Sequence, residues 1–186
     1  MTEENSNSQY PQSDSSRYAR ILKEYVKAYN AHDYERTMAF YARDIRFEIV
    51  GVWVRTGGDE VGEVLEWDIE THIHMTMTEI HSRGNIIQCH LSETNDWLGL
   101  SGIGEMHYEP CLFVFQDKYI REIRAELTRE SNERYMRAWK EISEWTTANR
   151  SKALLELIPR GKFMYGKERA QKWLSLLQEW RDATGR

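Results

Sequence analysis

Glu93 ends a run of alternating residues, Ile87, Cys89, Leu91 and Glu93, in which every second side chain shares one face of an extended strand. The three apolar residues mark that face as the buried one, so the fourth position carries a carboxyl group into an apolar interior. Asn95 continues the same phase. A second run, Phe115, Phe113 and Cys111, leads back to Glu109 and His107. A carboxylate among apolar neighbours has its pKa raised by desolvation, which suits it to proton transfer near neutral pH. The alternation therefore predicts Glu93 and Glu109 as general bases or acids. His107 is expected to relay a proton or orient a carboxylate, and Asn95 to donate to a developing oxyanion. Strand ends also emerge into water, so a solvated reading stands beside this one. Tyr108-Glu109-Pro110 adds a condition. Proline cannot donate to a strand ladder, and one inserted residue would reverse the phase of His107 and Glu109.

Other reactive residues carry weaker patterns. His72-Ile73-His74 sets two imidazoles on one face of a strand, but no recognised spacing supplies a third zinc ligand. Cys89 and Cys111 are far apart in sequence, fall on apolar strand positions and read as buried thiols of a reducing compartment rather than a disulfide framework. No phosphate loop or nucleophile elbow occurs. Neither a metal nor a cofactor is expected.

The elements that must position these groups can be read from periodicity. Tyr18, Ile21, Leu22, Tyr25 and Tyr29 recur at helical spacing, Asn30-Ala31-His32-Asp33 interrupts them, and Tyr34, Met38 and Tyr41 resume the pattern. After Ala42-Arg43-Asp44 the period drops to two, with Ile45, Phe47 and Ile49 on one face. Gly57-Gly58 reads as a turn and Asp59 as the N-cap of a third helix carrying Val61, Val64, Leu65 and Ile69. Strands are expected over His72 to Ile80, Ile86 to Trp97, Met106 to Phe115 and Tyr119 to Leu127. Ile45, Phe47, Ile49, Leu91, Phe113, Phe115, Ile123 and Leu127 should share one interior. Strands in direct antiparallel succession after leading helices make an α+β fold rather than an alternating one.

The segment YVKAYNAHDYERTMAFYARDIRFEIVG resembles the opening of the nuclear transport factor 2-like superfamily, which includes ketosteroid isomerases, limonene epoxide hydrolases and SnoaL-like polyketide cyclases. The resemblance extends through the later strands to about Leu127. It implies a curved, mainly antiparallel sheet wrapped around the N-terminal helices as a cone with an apolar pocket, which Tyr25, Tyr29, Phe47, Ile49, Trp53, Asn95 and Phe113 would line. Tyr25 aligns with the tyrosine that ketosteroid isomerases use as an oxyanion donor. The isomerase base, in contrast, falls on Ile49 and its acidic donor on Cys111, and Ala125 stands where epoxide hydrolases place an aspartate. The resemblance thus implies a fold without a complete catalytic set. Relatives commonly dimerise through the outer sheet face, so the row Glu122, Arg124 and Glu126 is either a homodimer surface or a solvated one.

Composition narrows the partners. The net charge is −5 with basic residues dispersed among acids, which argues against a nucleic-acid surface. No apolar run approaches the ~20 residues of a membrane span. The polar, acidic start MTEENSNSQYPQSDSS is no secretory signal, so a cytoplasmic protein with a disordered tail over residues 1–16 is expected. Residues 17–128 form the cone and residues 129–186 a helical extension in three amphipathic segments. Four of the seven tryptophans lie in that extension, too much apolar surface to leave in water. It either docks on the cone or a second subunit, or covers the pocket mouth as a lid. Two functions remain open. One is a cofactor-free acid/base enzyme (isomerase, dehydratase, cyclase or epoxide hydrolase type) acting on a small apolar or amphipathic molecule. The other is a non-catalytic small-molecule binder or interaction module.

Overall fold

The computed structural model describes residues 12–186, with side chains from residue 17 onward. Most of the expected tail lies outside the described residues, although the first helix reaches back to Gln12. Helices α1 (Gln12–Asn30) and α2 (Tyr34–Met38) are followed by strands β1 (Tyr41–Ile49) and β2 (Trp53–Thr56), then helix α3 (Gly57–Glu70). Next come β3 (His74–Arg83), β4 (Ile86–Thr94), a short helix α4 (Asp96–Leu100), β5 (Met106–Gln116) and β6 (Tyr119–Leu127). The extension consists of α5 (Arg129–Asn149), α6 (Ser151–Leu157), a 3-10 turn over Pro159–Gly161 and α7 (Lys167–Thr184).

The six strands form one curved, unclosed sheet in the order β2-β1-β6-β5-β4-β3. Every neighbouring pair is antiparallel except β1 with β6. Helix α1 lies across the concave face because its apolar stripe repeats every third or fourth residue. Tyr18 stacks on Phe115 at 4.8 Å and Tyr25 meets Phe113 edge-on at 6.0 Å. The Asn30-Ala31-His32-Asp33 break is a docking turn. Asn30 clasps the Met75 backbone through two bonds of 2.8 Å, and the Asp33 side chain caps α2 by accepting from the Arg36 amide.

Ile45, Phe47, Ile49, Leu91, Phe113, Phe115, Ile123 and Leu127 do face one interior, with Phe47 and Leu127 half-buried at its rim. Several boundaries differ from expectation. Helix α2 ends at Met38 and β1 starts four residues before Ile45, since Tyr41 already pairs with Ile120. Helix α3 starts at Gly57 rather than after Asp59, the positive φ of Gly57 turning the chain directly into the helix. Strand β4 stops at Thr94 because Asn95 caps α4, accepting from the Leu98 amide at 2.7 Å. Cys89 and Cys111, distant in sequence, are register partners on β4 and β5, both buried and unlinked.

The extension packs onto the cone. Trp173 and Leu177 of α7 are fully buried, and Trp180 nearly so. Trp173 stacks on Phe163 at 5.4 Å and meets Trp97 of α4 edge-on at 6.4 Å. Helix α5 is tied to β5 where the His107 amide donates to Ser131 Oγ at 2.9 Å. Among the described residues no helix is long and apolar enough to cross a membrane.

Candidate acid/base site in the cone

The cone encloses a cavity of about 580 Å³, in the size range of small-molecule sites. All seven residues expected to line a pocket do so: Tyr25, Tyr29, Phe47, Ile49, Trp53, Asn95 and Phe113. Asn95 meets it with only its amide NH2 available, because its carbonyl oxygen is used in capping α4. The extension also contributes, with Tyr135, Trp139, Phe163 and Tyr165 among the lining residues, so α5 and the segment before α7 form part of the wall.

Glu93 projects into this cavity from β4, as the uninterrupted alternation requires. Its acidic partner is Asp68, buried on α3 and lining the same space. Each carboxyl is held by a tyrosine: Tyr29 donates to Asp68 Oδ2, and Tyr108 donates to Glu93. Behind them the hydroxyls of Tyr25 and Tyr41 meet at 2.9 Å. Burial pushes Glu93 up to about 7, opposed by the bond from Tyr108. Burial pushes Asp68 well above the usual carboxylate range, the negative charge of Glu93 adds to this, and the Tyr29 bond opposes it. Tyr29 and Tyr108 are themselves raised, chiefly by burial, so both stay neutral hydroxyl donors at physiological pH. Glu93 is therefore poised between acid and base at neutral pH, while Asp68 is held well above the usual carboxylate range.

His107 and Glu109 must be corrected: both lie on the outer face of β5, exposed. The reason is a bulge. Leu91 pairs with Tyr108 but Cys89 pairs with Cys111, and on the other side Leu127 pairs with Tyr108 while Ala125 pairs with Cys111. Between Tyr108 and Cys111 the strand thus carries one residue more than either neighbour, at Glu109-Pro110, and the phase reverses. Tyr108 turns inward in place of Glu109, which instead meets His90 Nε2 at 3.1 Å on the outer surface. His72 and His74 do not share a strand face either. His72 sits in a left-handed turn before β3, with its Nδ1 2.6 Å from Asp96. Among the described residues no group of three or more His, Cys, Asp or Glu side chains could hold a metal ion.

Sequence reasoning missed Asp68, although a signal existed. Asp68 falls seven residues after Val61 and three after Leu65, on the apolar stripe of α3 where a carboxylate is out of place. It also missed Arg55 of β2, 9% exposed, whose guanidinium donates to the Phe163 carbonyl at 3.2 Å and lies over the rings of Tyr165 and Trp53.

No protein-family model matches the sequence, and no curated protein matches it. Solved structures do. An epoxide hydrolase/cyclase-like enzyme, SalBIII, with a role in pyran ring formation in polyether salinomycin, aligns at a TM-score of 0.56 with 16% identity over 63% of this chain and 95% of that one. An LEH-like epoxide hydrolase of M. tuberculosis aligns at 0.55 with 14% identity over 69% of this chain and 96% of that one. An NTF2-like protein of unknown function from Cytophaga hutchinsonii aligns at 0.50 with 9% identity over 60% and 89%. At such identities the likeness speaks for architecture alone. The curved sheet, the helix cradled in it and these alignments together show that the chain has the nuclear transport factor 2-like cone fold, the same fold as SnoaL-like polyketide cyclases, ketosteroid isomerases and LEH-like epoxide hydrolases.

Proposed function

We propose that this protein is a cofactor-free acid/base enzyme acting on a small, mostly apolar molecule held in the cone. The observation that carries the reading is the pair Asp68 and Glu93, two carboxyl groups in one aromatic-lined cavity, both raised by burial and Asp68 raised further by the charge of Glu93. Two titratable groups pushed apart in this way divide the roles of acid and base. Glu93, once ionised, takes a proton from carbon, hydroxyl or water. Asp68, still protonated, donates to the oxygen on which charge develops. Isomerisation, dehydration, cyclisation and epoxide hydration all need that pair of acts and nothing more. Tyr29 holds Asp68 and Tyr108 holds Glu93, fixing the two groups relative to the substrate. The walls from α5 and the Phe163 to Tyr165 segment shield the reaction from bulk water, a lid role for the extension.

Turnover of an enone and epoxide panel, followed from pH 5 to 10, tests the reading. Activity should rise as Glu93 ionises near pH 7 and fall again where Asp68 loses its proton. The Glu93→Gln variant should lose about 10²–10⁴-fold in rate. Turnover by that variant at the wild-type rate would remove Glu93 from the mechanism. The alternative is a non-catalytic small-molecule binder. It draws on Ile49, Cys111 and Ala125, apolar residues at positions where enzymes of this fold carry catalytic groups. Tight binding of panel members with no turnover at any pH would favour it.

Two further parts of the reading rest on separate observations. The facing, unlinked Cys89 and Cys111 support a reducing, cytoplasmic setting. The outer row supports homodimer formation less directly, because Glu122 and Arg124 are already paired within the chain, to Arg46 at 3.1 Å and Glu48 at 3.6 Å.

A further inference from the structure

Arg55 is a charge without a counter-charge. Its side chain is buried, among the described residues no carboxylate pairs with it, and its one protein hydrogen bond goes to the neutral Phe163 carbonyl. A guanidinium offers five N–H donors and does not give up its proton in a protein. A buried ion of this kind is costly unless something of opposite sign compensates it. Neither acidic group of the cavity does so: Asp68 is bound to Tyr29 and Glu93 to Tyr108. Arg55 lines the cavity all the same, and two more cations, Arg160 and Lys162, line it from the exposed turn after α6. Two carboxyl groups and three cations thus line the same cavity. The Tyr165 ring lies 5.3 Å from the Arg55 guanidinium and within electrostatic reach of Asp68 and Glu93, so the cation and the two carboxyls belong to one continuous site.

We infer that the ligand is an amphipathic monocarboxylate whose anionic end is held by the Arg55 guanidinium, with Arg160 and Lys162 at the rim, and whose apolar end reaches Asp68 and Glu93. The planar fork of Arg55 matches a carboxylate, and the Trp53 and Tyr165 rings, 6.0 and 5.3 Å away, flank it with cation–π contacts. A single carboxylate balances the one buried cation, while the two rim cations stay hydrated and steer rather than hold. The inference deepens the acid/base reading by naming the substrate class and the end of the molecule that does not react.

The test is equilibrium binding, which needs no turnover. 4-Phenylbutyrate, its methyl ester and 3-phenylpropylphosphonate are titrated against the full chain by calorimetry and by quenching of tryptophan fluorescence, since Trp53, Trp67, Trp97 and Trp139 line the cavity. The wild-type protein should bind the acid roughly 10–100-fold more tightly than the ester, the value of a desolvated charge-assisted bond. Arg55→Met should abolish that preference by weakening the acid alone, and Arg55→Lys should keep part of it. Should Arg55→Met fail to fold, the Arg160→Gln/Lys162→Gln double variant on the exposed turn carries the test: it should reduce the salt dependence of acid binding and leave the ester unaffected. Glu93→Gln should retain the acid preference, which separates this inference from the acid/base reading. Equal affinity for acid and ester, or parallel loss of both in Arg55→Met, overturns the inference. Tighter binding of the phosphonate overturns the assignment to carboxylates.

Discussion

Replacing Glu93 by glutamine should stabilise the protein, and only at high pH. In the folded chain the Glu93 carboxyl is raised from 4.5 to about 7. Between those values the folded state holds a proton that the unfolded chain has released, so stability falls as pH rises through this window and the loss is complete above about pH 7. A tenfold change in proton affinity corresponds to about 1.4 kcal/mol, which puts the full loss at about 3 kcal/mol, or roughly 2–3 kcal/mol allowing for hydration of Glu93 by water in the cavity. Glutamine preserves the shape and the acceptor for the Tyr108 hydroxyl but never ionises. The two proteins should therefore be nearly equally stable at pH 4, with Glu93→Gln ahead by roughly 2–3 kcal/mol at pH 8, or about 5–10 °C in Tm for a chain of this length. Asp68 contributes a slope of the same sign in both proteins, smaller in Glu93→Gln because the Glu93 charge that adds to its shift is gone, so it widens the gap at high pH. Urea denaturation at pH 4, 6 and 8 measures it. A gap below about 0.5 kcal/mol at pH 8 would mean that Glu93 ionises without penalty and that burial does not set its proton affinity.

Tyr108→Phe removes the bond that lowers Glu93, so the pH at which the stability loss is complete should move above 7, and a downward move would contradict the assignment of that bond. Trp173→Ala should cost about 3–5 kcal/mol in urea denaturation, since the ring is fully buried between Phe163 and Trp97, whereas a loss near zero would mark the extension as a loose appendage. Ending the chain at Thr128 strips away the α5 and α7 surfaces that cover the cone, and light scattering should then detect aggregation. Changing His107 and Glu109 together to glutamine should shift ligand affinity by no more than about twofold in the calorimetric titration, as expected of two exposed residues on the outer face.

The parts of the cone that follow from local alternation were legible in the chain itself. Ile45, Phe47 and Ile49 on β1, and Ile87, Cys89, Leu91 and Glu93 on β4, run without a break in period, so the phase carried through to the cavity. At Glu109-Pro110 it did not. A bulge is a disagreement between strands, and it becomes visible only when Tyr108 and Cys111 are set against Leu91 and Cys89. Asp68 was hidden for another reason. On α3 it reads as one polar residue in a short amphipathic helix, and its meaning depends on Tyr29, a partner 39 residues away on another element. Arg55 lies on a strand too short, at four residues, for alternation to declare it, and its lack of a counter-charge is a property of the assembled cavity rather than of the chain.

Asp68 and Glu93 share one cavity in which burial raises both carboxyls, Glu93 to about 7 and Asp68 well above the usual carboxylate range. Carbon-13 NMR of the side-chain carboxyls, titrated from pH 3 to 9 in the ligand-free protein and assigned with Asp68→Asn and Glu93→Gln, reads this directly. An inflection near 7 is expected for Glu93, with the Asp68 inflection displaced well above the usual carboxylate range. Inflections for both groups near 4 would show two ordinary carboxylates and contradict it.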